Sequence, residues 1–146
     1  MMTYRLIQGH LMSSDATQSP ILSGLNAVTI LVRDIVTSRS FYGTALGLRE
    51  IWADDVSAGF DFGNTIINLL HEGEGPSLIG PTAVSPVDAG TRIMFSVFVP
   101  DADALITQLA DRGVPLLNGP VNRPWGKRTA CFADPDGTVW EIAQDI

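Results

Sequence analysis

The stretch "FADPDGTVWEI", Phe132 to Ile142, decides how this chain is read. Asp134-Pro135-Asp136-Gly137 is turn chemistry: proline presets one backbone angle, glycine permits another, and aspartate side chains cap nearby N–H groups. The residues after it alternate as a strand does, with Glu141 inside the run. A carboxylate within a buried strand must bind something or be compensated, because unpaired burial of charge is expensive.

Working outward, the chain repeats itself. "NAVTILVRD" (26–34) is an alternating strand that ends at Asp34, a natural N-cap. The following "IVTSRSFYGTALG" carries Ile35, Phe41, Ala45 and Leu46 as a helical apolar stripe, closed by Gly47. Three short strand-like runs follow: "REIWA", "AGFDFG" and "TIINLLH". The second half has the same order. "IMFSVFVPD" (93–101) ends at Asp101, a helix over "ADALITQLADRG" turns Leu105 and Leu109 inward, and "VPLLNG", "RTACFA" and "TVWEIA" are three more strands. Asp34 thus matches Asp101, Gly47 matches Gly113, and Asn68 matches Glu141.

The spacing predicts an α+β fold of two tandem βαβββ modules whose curved mixed sheets enclose a shared cavity. Module one is 24–72, a Gly/Pro/Ser-rich linker is 73–90, and module two is 91–146. Together they form one domain, 23–146, behind an N-terminal arm, 1–22, whose second half is rich in polar residues.

Bulk properties narrow the function. The chain has 146 residues, of which 45% are hydrophobic and 17% charged, enough for a packed core. A formal charge of −7 disfavours nucleic acid, whose phosphates need a basic surface. No run reaches the about 18–20 apolar residues of a membrane span. The start lacks a signal-peptide core, since Arg5, Gln8 and His10 interrupt it, and Cys131 is the single cysteine. A cytoplasmic location is expected.

From these residues the chain resembles the vicinal oxygen chelate superfamily, the glyoxalase, bleomycin resistance protein and extradiol dioxygenase fold. The resemblance rests on "LNAVTILVRDIVTSRSFYGTALGL", "VFVPDADALITQLADRGV" and "RPWGKRTACFADPDGTVWEIA", and spans about Gly24 to Gln144. It implies a small organic ligand, and a homodimer whose sites are often completed across the interface. Members of that family include lyases, isomerases, dioxygenases, fosfomycin thiol transferases and metal-free proteins that sequester antibiotics.

The enzymes hold a divalent metal at positions that align here with Ala27, Asn68, Met94 and Glu141. Alanine has no donor, methionine offers a soft thioether, and an amide oxygen is a weak ligand for first-row ions. Of the two histidines, His10 lies in the arm and His71 falls on the strand face opposite Asn68. No metal or other cofactor is therefore expected.

Alternation assigns Thr29, Asn68, Met94, Ser96, Phe98 and Glu141 to the cavity side, an apolar surface with sparse polar points suited to an organic ligand. Trp52 and Trp125 are candidate stacking surfaces, and the basic stretch "NRPWGKR" makes Arg128 a candidate contact for ligand or for Glu141. The expected function is metal-free sequestration of an aromatic or antibiotic-like compound. The alternative is a lyase, isomerase or dioxygenase in which Glu141 works with a metal or as a general base.

Overall fold

Two aspartates set the frame. Asp34 follows strand β1 (Ala27–Val32), and its carboxylate accepts from the N–H groups of Val36 (3.0 Å) and Thr37 (3.3 Å). Those bonds start helix α1 (Ile35–Arg39) and hold the Asp34 carboxyl below its ordinary range. Asp101 does the same for α3 (Ala102–Asp111), accepting from Ala104 N–H at 3.0 Å. The computed structural model describes residues 20–146. His10 and most of the expected arm lie outside the described residues.

Module one adds β2 (Arg49–Ala53), β3 (Ser57–Asp61) and β4 (Ile66–His71), in the order β1-β4-β3-β2. Module two has β5 (Met94–Phe98), β6 (Leu116–Arg123), β7 (Lys127–Ala133) and β8 (Val139–Asp145), in the order β5-β8-β7-β6. In each, the first and last strands pair in parallel and the others antiparallel, so both sheets are mixed. The expected duplication is present. The linker is partly ordered: a 3-10 turn (Glu72–Glu74) leads into α2 (Gly75–Ile79), which Pro76 opens at a position where a missing N–H costs nothing.

The first helix departs from regular spacing. After Arg39 it continues as a π-helical turn, Ser40–Ala45, with Leu46 N–H bonded to the Phe41 carbonyl at 2.9 Å. The extra residue per turn advances the phase and carries Tyr42, absent from the expected stripe, to full burial.

Alternation then sorts the strands. Ile30, Val32, Ile67 and Leu69 of module one, with Trp140 and Ile142 of module two, lie in a single buried cluster on the helix-bearing sides of both sheets. Each such side chain contributes roughly 1.5–3 kcal/mol by leaving water. Phe62 packs on Trp140 with ring centroids 5.5 Å apart, and Phe41 lies 6.3 Å from Phe132. The modules therefore meet through their helix sides. The expectation of sheets enclosing a cavity needs correction: the two sheets are separate and not closed on each other, and exposed Met94 and Phe98 lie on the faces turned away from this core.

The Asp-Pro-Asp-Gly turn locks the modules together. Asp134 Oδ1 accepts from Asp136 and Thr138 N–H, both at 2.9 Å, as turn chemistry requires. Its other oxygen accepts from the Tyr42 hydroxyl at 2.6 Å, and Tyr42 accepts in turn from Trp140 Nε1 at 3.1 Å. Burial and the adjacent Asp134 carboxylate keep the Tyr42 phenol protonated far above its ordinary range. Arg33 of module one also reaches this turn, donating to Asp136 Oδ1 at 2.8 Å and to the Pro135 carbonyl at 2.9 Å.

Candidate functional site

Paired residues in neighbouring strands share a face, so register alone builds two rows on the faces away from the core. In module one the row runs Trp52–Gly59–Asn68–Thr29. In module two it runs Asn118–Cys131–Glu141–Ser96. The rows correspond: a hydroxyl on the first strand faces an amide or a carboxylate on the last. Asn68 Nδ2 donates to Thr29 Oγ1 at 3.2 Å, and Ser96 Oγ donates to Glu141 Oε1 at 2.9 Å.

Module one forms a shelf. A Cβ on Gly59 would lie 2.3 Å from the Trp52 ring, so the indole rests directly over the glycine backbone. Trp52 keeps 41% of its surface exposed. Beside it, Asn68 Oδ1 is buried without a hydrogen-bond partner. In either orientation of the amide, Thr29 satisfies one end and the other stays unpaired. A flat apolar surface next to an unsatisfied polar atom suits a planar ring bearing a heteroatom.

Module two supplies the acid. Glu141 is only 6% exposed, and burial raises its carboxyl above the ordinary range. Ser96 is its hydrogen-bond donor, and no Arg or Lys ion-pairs with it among the described residues. Cys131 lies next to Glu141 in the row, and burial pushes its thiol upward, so it is a neutral neighbour and not a thiolate. Phe98 is 58% exposed, with Lys127 Nζ 4.5 Å from its ring centroid. Met94 is 46% exposed at the start of β5.

Two sequence candidates lie elsewhere. Arg128 is on the opposite, helix-bearing face of β7, where it donates to Asp103 of α3 at 3.0 Å and to Asn122 at 2.9 Å. It alternates with Lys127 and Thr129, so it cannot share the Glu141 face. Trp125 sits in the β6–β7 turn, half-buried, 5.8 Å from the Arg123 guanidinium, at the end of the sheet and not within the row. Sequence reasoning missed Lys127, the chain's sole lysine: it is buried and ion-paired with Asp145. The strand-end His71 uses its Nδ1 to accept from Gly73 N–H at 3.1 Å, on the face opposite Asn68.

The donors at the family's metal positions do not fit a divalent first-row ion. Ala27 presents a methyl group, Met94 an exposed thioether, and Asn68 an amide already bonded to Thr29. Glu141 alone is a suitable ligand, and no group of three or more His, Cys, Asp or Glu residues comes together among the described residues.

With this geometry in place, comparison with known proteins is decisive for the family. The profile of the Glyoxalase/Bleomycin resistance protein/Dioxygenase superfamily matches residues 24–142. The chain belongs to this superfamily. Among superfamily folds, a glyoxalase/bleomycin resistance protein/dioxygenase from Nocardioides superposes with a TM-score of 0.76 at 21% identity, covering 99% of this chain and 93% of that one. An antibiotic binding protein from Streptomyces, TnmS3, gives 0.67 at 24% identity, covering 88% and 100%. A lactoylglutathione lyase from Agrobacterium tumefaciens gives 0.68 at 18% identity, covering 84% and 94%. In sequence, the chain is 27% identical over 129 residues to the virulence protein STM3117 of Salmonella typhimurium, covering 86% of this chain and 87% of that protein. The superfamily spans binders and enzymes, so the fold alone does not select between them.

Proposed function

We propose that this superfamily member binds a planar, heteroatom-bearing organic molecule without a metal and acts by sequestering it. The observation that carries this reading is the Trp52 shelf over Gly59, beside the unpaired end of Asn68. A stacked ring gains contact area on the indole, and a ring heteroatom or carbonyl satisfies the amide. The Ser96–Glu141 pair supplies a second polar point of different character. Because burial favours the protonated acid, Glu141 can donate a hydrogen bond as well as accept one. Similarity to an antibiotic binding protein of the same fold agrees with this reading.

The active form in this proposal is a homodimer. The shelf and the acid lie on separate sheets, each with exposed apolar side chains such as Trp52, Met94 and Phe98. Placing the face of one copy against the complementary face of another brings the two rows around one ligand and covers those side chains.

A second reading has one observation in its favour: Glu141 is a buried carboxyl with a raised pKa and a hydroxyl neighbour, the features of a general acid or base in a lyase or isomerase. Titrating tryptophan fluorescence with a panel of planar heteroaromatic compounds separates the two. Sequestration predicts saturable binding that weakens about tenfold or more in Trp52→Ala, with the compound recovered unchanged. Turnover of the bound compound, lost in Glu141→Gln, would replace sequestration by catalysis.

A further inference from the structure

The helix-bearing sides of the two modules do not fill the space between them. A cavity of about 150 Å³ remains, lined by Leu46, Leu48, Phe62, Leu105, Phe132 and Trp140 among others. Its lining is apolar except for Gln108 and Arg112. Ala45 and Arg112 also border a larger, more open cleft between α1 and the Gly113–Val114 segment. Arg112 therefore stands on the wall shared by a closed apolar chamber and an open approach.

Arg112 is held there by module one. One of its terminal nitrogens donates to the Ala45 carbonyl at 3.1 Å, bridging the modules. Gly47 makes room for it: a Cβ at that position would lie 3.2 Å from the same nitrogen, and φ of +72° already favours glycine. A guanidinium carries five N–H donors in a fixed fork, so a single carbonyl leaves most of it available to an anion.

A dry apolar chamber of about 150 Å³ is the size that admits a benzene ring. We propose that the inter-module cavity is a second binding site, for a small aromatic carboxylate of the benzoate class. The ring enters among Leu46, Phe62, Leu105, Phe132 and Trp140, and the carboxylate pairs with Arg112 at the mouth. This site lies on the opposite side of both sheets from the Trp52 shelf and does not depend on the function proposed there.

The test uses calorimetric titration and thermal shift on the full chain, with three probes: benzoate, toluene and acetate. Benzoate is expected to bind saturably at one per chain and to raise Tm, toluene to bind more weakly, and acetate not to bind. Arg112→Gln should weaken benzoate at least tenfold while leaving toluene unchanged. Ala45→Leu, which fills the chamber from the shared wall, should abolish both. Arg112 is exposed, so the first variant keeps the test valid even if the second fails to fold. Trp52→Ala should bind benzoate as the wild type does, which separates this site from the shelf.

Several results would overturn the proposal. Absence of saturable binding of benzoate in the wild type is one. Equal benzoate affinity in Arg112→Gln removes the anion contact, and loss of benzoate binding in Trp52→Ala places the ligand on the other face.

Discussion

The Tyr42 hydroxyl donates to Asp134 Oδ2 at 2.6 Å, joining residues 92 positions apart and tying one half of the duplicated chain to the other. Both residues are buried, and the same oxygen of Tyr42 satisfies Trp140 Nε1. Tyr42→Phe would leave a buried carboxylate oxygen and an indole N–H without partners. A hydrogen bond to a charged group is worth about 1.5–3 kcal/mol, so the variant should lose that much in urea denaturation, with an unchanged m-value. A loss below about 0.5 kcal/mol would mean that the clasp contributes nothing net.

Glu141 gives a pH-dependent prediction. Its folded-state pKa is raised, so the stability it contributes is complete below the ordinary carboxylate range, near about pH 4, and is lost as pH rises through the raised value. Glutamine keeps the neutral shape and does not titrate. Glu141→Gln should therefore match the wild type at acid pH and exceed it in Tm toward neutrality. A wild type more stable than the variant at neutral pH would show the carboxylate to be compensated in the fold.

The shelf can be removed without touching the tryptophan. Any side chain at Gly59 collides with the Trp52 ring, because a Cβ there approaches it to 2.3 Å. Gly59→Ala should shift the Trp52 emission and weaken planar ligands about as much as Trp52→Ala does, roughly tenfold. Unaltered affinity would show that the ligand does not use the indole in this position.

Metal loading offers a further check. The Ala27, Asn68, Met94 and Glu141 set is a poor ligand shell. Exhaustive dialysis against a chelator should leave planar-ligand affinity unchanged, and added Zn, Mn, Fe or Ni ions should not raise Tm. About one ion per chain by plasma mass spectrometry, lost in Glu141→Ala, would contradict this and restore the metal-dependent enzymes as the nearest functional kin.

Much of this architecture was legible in the sequence, because period-two alternation and aspartate caps are local signals. Val28, Ile30 and Val32 against Thr29, or Trp140 and Ile142 against Glu141, sort correctly by position alone. The failures come where a local rule is broken or where contact is made at long range. Arg128 looked like a loop cation, but β7 begins at Lys127, which turns Arg128 toward α3. The stretch "VPLLNG" was expected to end near Gly119, yet β6 runs on to Arg123 through two register shifts. Whether the two sheets face each other or stand back to back is carried by contacts such as Tyr42 to Asp134, and no window of sequence contains both residues.

The π-helical turn at Ser40–Ala45 has a consequence for which changes the chain can absorb. Tyr42 meets Asp134 because this turn holds one residue more than an ordinary helix would. Deleting any one residue of the turn would rewind it and rotate the phenol by about a quarter of a revolution, away from its partner. What is protected here is a count and not an identity: homologous segments can drift in composition, but a change in length uncouples the two halves.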